Sequence, residues 1–97
     1  MMAKKKIEAN GISEISKVFG NLVKKTRKDK GLSQEEFASI TGIRREKISE
    51  IESGKHQFNY YWEQLLSRHL PLTFGIEFDK GEIKLWVVYE TKKEEIK

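Results

Sequence analysis

The chain of 97 residues has no cysteine, one proline and two histidines. Without cysteine there is no disulfide framework, no thiolate zinc site and no cysteine nucleophile, and the expected compartment is the reducing cytoplasm. His56 and His69 alone supply metal or acid–base chemistry thinly. No apolar run approaches the roughly 18 residues that a membrane span requires, so no membrane partner is expected. The basic start, Met1-Met2-Ala3-Lys4-Lys5-Lys6, is not followed by an apolar stretch and does not read as a secretory signal. Glu35-Glu36 and Glu94-Glu95 are neighbours in sequence rather than a carboxylate pair facing a substrate. No Ser/His/Asp arrangement, phosphate loop or metal-ligand spacing occurs. An enzyme is therefore not expected, nor a cofactor or a metal.

What is present suits one small domain. Hydrophobic residues make up 37% and charged residues 35%, and a chain of this length buries about two-thirds of its unfolded surface in one modest core. The net charge of +4 is unevenly spread. Residues 1–32 carry nine cationic and three acidic side chains, residues 33–58 four and five, and residues 59–97 six and seven. The excess sits at the N-terminal end. With a pI near 9.3, that asymmetry suits a polyanionic partner or simple solubility.

Helical periodicity begins near Ser13. Ile15, Val18, Phe19, Leu22, Val23 and Thr26 share one helix face, with Lys17, Lys24, Lys25 and Lys28 outside it. Gly20 interrupts the stripe at a cost of about 1 kcal/mol against alanine, which points to close helix packing there. Gly31 ends the helix. Ser33-Gln34-Glu35-Glu36 is a capping box that starts a short helix from Gln34 to about Thr41. Gly42 stops it, and a third helix runs from about Arg45 to Ser53, with Gly54 after it. A fourth is marked by Trp62, Leu65, Leu66, His69 and Leu70 and ends at Pro71.

Beyond Pro71 the period falls from 3.6 to 2. Leu72, Phe74, Ile76 and Phe78 alternate with polar or small residues, as do Ile83, Leu85, Val87 and Tyr89 with theirs. Asp79-Lys80-Gly81 between them suits a three-residue hairpin turn. A lone hairpin is marginal in water. This one must pack on its own helices or pair with a second copy.

Two short helices joined by a glycine turn form a helix-turn-helix pattern. In the third helix Ile48 and Ile51 take the inner side, with Ile43 just before it. Arg45, Glu46, Ser49 and Ser53 form a short polar stripe able to enter a major groove. Arg45 suits guanine O6 and N7, Glu46 a cytosine amino group, and Ser49 either kind of pair. The other reading is a solvated face on which Arg45 and Glu46 neutralise each other. Arg44 stands at the N-cap, where it caps poorly, so it is either a base or phosphate contact or a tolerated surface arginine.

Leu32-Ser33-Gln34-Glu35-Glu36-Phe37-Ala38, Gly42-Ile43 and Ile48-Ser49-Glu50-Ile51-Glu52-Ser53-Gly54 closely resemble the Cro/CI (XRE) type of helix-turn-helix, over about Phe19 to Leu70. The resemblance implies a mainly α, lambda-repressor-like domain of four or five helices, followed by a C-terminal β-hairpin used in dimerisation. It implies a phosphate contact from Gln34 at a helix N-terminus, and a structural ion pair between Arg27 and Glu52. Lys55 and His56 fall at the other phosphate edge, although His56 also reads as an idle loop histidine. Asn59 caps the fourth helix or touches phosphate. His69 reads as partly buried. Tyr60-Tyr61-Trp62 reads as core or as a partner surface. The family's usual proline between helices three and four is missing.

The organisation expected is a basic flexible arm at 1–10, a DNA-binding domain at 11–70, dimerising strands at 71–90 and a charged tail at 91–97. Lys4, Lys5 and Lys6 would follow the DNA or only keep the chain soluble. The implied function is that of a homodimeric, sequence-specific repressor of double-stranded DNA, nucleoid-associated, autoregulatory and bound to a palindromic operator. Leu65 to Phe78 is similar to the end of HipB-type antitoxins, which implies a protein toxin partner, a HipA-like kinase. The alternative is a phage-type repressor or restriction-modification controller with no toxin.

Overall fold

The structure, a computed structural model, describes residues 2–55 and 59–92. Strand β1 (Met2–Asn10) comes first, then helices α1 (Ile12–Asp29), α2 (Gln34–Thr41), α3 (Arg45–Glu52) and α4 (Tyr60–Ser67), then strands β2 (Leu72–Asp79) and β3 (Glu82–Lys92). The strands form one antiparallel sheet in the order β1-β3-β2.

Helices α1, α2 and α3 follow their expected spans closely, whereas α4 stops at Ser67, short of Pro71, so that His69 and Leu70 lie in a turn beyond the helix rather than on its face. In α2 the Ser33 hydroxyl accepts from the Glu36 amide at 3.0 Å, and the Glu36 carboxylate accepts from the Ser33 amide at 2.8 Å. Both bonds satisfy donors that the helix itself leaves unpaired. Gly42 closes α2 in a left-handed conformation (φ 79°) and donates to the Ala38 carbonyl. Asn59 caps α4, its side-chain oxygen accepting from the amides of Tyr61 and Trp62 at 3.0 and 3.3 Å. That cap settles the role left open for Asn59.

The N-terminal segment corrects the sequence reading. Residues 1–10 were expected as a flexible basic arm, yet β1 pairs with β3 along its length, with Ile7 opposite Val87 and Ala9 opposite Leu85. Ala9 is buried and Ile7 packs against the core. Gly11 (φ 83°) then turns the chain into α1 and donates to the Ile83 carbonyl at 2.9 Å. A segment paired this way is not an arm free to follow a DNA groove. The chain is accordingly α+β rather than mainly α, and the strands expected as a separate unit at 71–90 share one core with the helices. Thr91 and Lys92 complete β3; the rest of the expected tail lies outside the described residues.

The turn differs as well. Asp79 pairs with Glu82, so the hairpin loop is the two residues Lys80 and Gly81, both at positive φ (54° and 81°). Positive φ at both loop residues is the geometry of a primed turn, whose twist matches that of the flanking strands.

The core lies between the helices and one sheet face. Ile15, Phe19 and Val23 of α1 and Leu66 of α4 are buried with Leu72, Leu85 and Val87 of the sheet. Phe19 meets Phe74 edge to face, with ring centroids 5.5 Å apart. The hairpin's apolar face is thus covered by its own helices. Phe78, at the far end of β2, extends past that cover and is 78% exposed. On the other sheet face Trp86 lies over Gly75, where a Cβ would come within 2.6 Å of the indole nitrogen.

Candidate nucleic-acid interface

Placement of α3 depends on two contacts with α1. At Gly20 the backbones meet: a Cβ there would lie 3.2 Å from the Ile51 carbonyl carbon and 3.3 Å from the Glu52 oxygen, with the Ile51 oxygen closer still. Two turns further along α1, Arg27 forms a buried two-pronged pair with Glu52, Nε to Oε2 at 2.7 Å and Nη2 to Oε1 at 3.0 Å. Arg27 Nη1 also donates to the Leu32 carbonyl at 2.6 Å. The guanidinium thereby joins α1 to the end of α3, as the resemblance implied, and also to the α1–α2 turn, which it did not. A buried pair of this kind orients elements more surely than it stabilises them.

With Ile43, Ile48 and Ile51 buried, the opposite face of α3 is open. Arg44, Arg45, Glu46 and Ser49 are all exposed. Arg44 is the N-cap residue, in an extended conformation and with no side-chain capping bond. Neither arginine forms a salt bridge with a described residue, and Glu46 forms none either; the ion pair of α3's outer surface is Lys47 with Glu50 at 3.4 Å. The mutual neutralisation of Arg45 and Glu46 considered from sequence is therefore not the arrangement found. The four expected base-contacting side chains share one solvent-facing end of α3.

The expected phosphate contacts divide. Gln34, in the first turn of α2, is half-buried and donates through Nε2 to Glu52 Oε1 at 3.0 Å. This links it to the Arg27–Glu52 pair, a connection that sequence reasoning did not foresee. Lys55 is exposed just past α3, its amide donating to the Glu50 carbonyl at 3.1 Å. His56 lies outside the described residues. Sequence reasoning also missed Lys17. Its side-chain stem lies against Gly54, 3.1 Å from where a Cβ would stand, which brings an exposed lysine from α1 to the same end of α3 as Lys55. No local pattern could show that, since 37 residues separate Lys17 from Gly54.

The aromatic segment is only partly core. Trp62 packs against the core while Tyr61 is 65% exposed, the two rings edge to face at 5.3 Å. Tyr61 therefore corrects the core reading at its position. Beneath them Glu63 is 2% exposed. Burial drives its carboxyl up to about 7, against the opposing pull of hydrogen bonds from the Asn59 and Glu63 backbone. His69 is half-buried. Among the described residues no helix is long and apolar enough to cross a membrane.

A family model described as a helix-turn-helix domain matches residues 20–81, from the middle of α1 to the hairpin turn. Comparison with curated proteins finds no match, nor does comparison with solved structures.

Proposed function

Because the chain belongs to this helix-turn-helix family, a DNA-binding regulator fold, we propose that it is a sequence-specific transcriptional repressor acting by occupancy of a palindromic operator, without catalysis. The observation that carries this reading is the solvent-facing end of α3, where Arg44, Arg45, Glu46 and Ser49 stand together with no competing salt bridge from the described residues. Arg45 donates two bonds to guanine and Glu46 accepts from cytosine, while its charge disfavours indiscriminate phosphate binding. Gln34, Lys55 and Lys17 hold the backbone and fix the register. The protein acts in the cytoplasm, on the nucleoid.

A palindromic operator requires a two-fold dimer. Support for one comes from β2, an edge strand that ends in the exposed Phe78. Edges of this kind pair readily with a second copy. The test is a footprint on the DNA upstream of the protein's own gene, with sedimentation of the free protein. Two protected half-sites about one helical turn apart and a dimeric mass are expected. Uniform retention of unrelated DNA at the same salt would refute sequence-specific reading.

A second reading is autoregulation as the antitoxin of a toxin operon, with a HipA-like kinase as partner. The exposed Tyr61 beside Trp62 favours it, since aromatic anchors of this type are enriched at protein interfaces. Co-purification of a kinase that Tyr61→Ala releases would support it, and DNA binding with no partner would leave a stand-alone repressor.

A further inference from the structure

The α1–α2 turn, the outer flank of α2 and the segment that follows α4 border an open groove. Its volume is about 530 Å³, within the range of about 300–1,000 Å³ typical of small-ligand sites. Leu32, Phe37, Ile40, Leu70 and Pro71 give it an apolar lining. Phe37 and Leu70 belong to the buried core, whereas Ile40 is 51% exposed, an unusual position for a large aliphatic side chain on a short helix. On α2, Ile40 stands six positions after Gln34, about a third of a turn round the axis from it at roughly 100° per residue. Occupation of the groove therefore leaves the DNA side of the helix clear.

The rim is cationic. Lys30 and Arg68 supply its charge, His69 lines it as well, and no acidic residue does. Neither Lys30 nor Arg68 forms a salt bridge with a described residue. Across Ile40 the surface changes sign: the adjoining groove, which shares Leu32 and Ile40, is lined by Glu35 and Glu36. An anion is thus drawn to the Arg68 side and repelled from the other, while the apolar floor requires a hydrocarbon body.

We infer that this groove binds a small amphiphilic carboxylate, its head between Arg68 and Lys30 and its chain along Leu32, Phe37 and Ile40. Arginine suits the head group, because its planar fork matches a carboxylate's two oxygens. The inference does not rest on DNA binding, and its test contains no DNA.

The test is a ¹H–¹⁵N NMR titration of the full chain with decanoate, kept well below its micelle-forming concentration, and with decanol as the uncharged control. Saturable shifts centred on Leu32, Ile40 and the backbone of residues 68–70 are expected, with decanol binding at least about tenfold more weakly. R68Q should lose about tenfold in affinity and R68K less; both changes are at an exposed position, and an unchanged spectrum of the free protein verifies the fold. Three results would overturn the inference. They are equal binding of decanol, shifts centred instead on Trp86 of the outer sheet face, and the same groove shifts on raising protein concentration without ligand, which would assign the groove to a second copy of the chain.

Discussion

Gly20→Ala separates two effects of opposite sign. By helix propensity alone, alanine at an interior helical position stabilises by about 1 kcal/mol. The structure predicts the reverse, because the new methyl would enter the space of the Ile51 carbonyl, with the Ile51 carbon at 3.2 Å and the Glu52 oxygen at 3.3 Å. These are backbone atoms of α3 and cannot turn aside as a side chain would. Relief requires α3 to move from α1 by on the order of 1 Å, and a gap of that size forfeits a quarter to a half of each dispersion contact across the seam. Phe19, Val23, Ile48 and Ile51, all buried, lose contact together. Overpacking of this severity costs about 3 kcal/mol. Set against the propensity gain, the net loss is about 2 kcal/mol, or a fall in Tm of roughly 10 °C for a domain of this size. Urea unfolding followed by circular dichroism measures it: the midpoint should fall with the slope unchanged. A midpoint at or above that of the wild type would refute the close contact of α1 with α3.

Three further expectations concern single side chains. Glu63 has a folded-state pKa of about 7 against an ordinary value of 4.5, so the folded state holds its proton more tightly. Stability should therefore be greatest below about pH 4.5 as far as this group is concerned, decline as pH rises to about 7 and level off above, a change of about 3 kcal/mol. Urea midpoints at pH 5 and pH 8 should converge in Glu63→Gln, and a parallel decline in both proteins would contradict the assignment. Glu52→Gln should cost about 3 kcal/mol by leaving Arg27 buried without its counter-charge, whereas Arg27→Met with Glu52→Leu should cost much less. Equal losses in the single and double variants would show that the charges themselves are not coupled. Arg45→Ala should weaken operator binding by about 1–3 kcal/mol and relax preference at one base pair in each half-site. Uniform weakening on every sequence would make Arg45 a phosphate contact instead.

The parts legible in the sequence are those whose signals are local. Ser33 and Glu36 mark the start of α2 within four residues, and Gly42 marks its end. The alternation from Leu72 to Tyr89 reveals two strands without any knowledge of their partners. β1 was not legible for the complementary reason. Ile7 and Ala9, which pack inward, are set among lysines that read as a solvated arm. What makes it a strand is Val87 and Leu85 across the ladder, nearly eighty residues away. The turn at Lys80-Gly81 was misjudged by one residue because Asp79, a common turn residue, is held in the ladder opposite Glu82. Gly20 was the exception. A helix breaker in the middle of an apolar stripe suggested a close approach, although its partner, the backbone of Ile51, was not identifiable from sequence.

The end of α3 proposed to read bases and the anchor that holds the helix are built from different chemistry, and Gln34 is tied to the anchor. Gly20 and Arg27 hold the second half of α3 by a steric contact and a buried charge pair. The first half carries Arg44, Arg45 and Glu46, which form no salt bridge with described residues and so would give up none on the proposed meeting with bases. Gln34, among the expected phosphate contacts, is already engaged, through Nε2 on Glu52. That bond does not compete with a phosphate. A glutamine amide nitrogen carries two hydrogens, so one can remain on Glu52 while the second reaches outward. The carboxylate of Glu52 fixes the direction of the amide before DNA arrives, and the entropy of ordering that side chain is met during folding rather than during binding. On the proposed reading, the same bond would tie a phosphate held at Gln34 to the end of α3, so that the spacing between backbone contact and base contact would be set inside the protein.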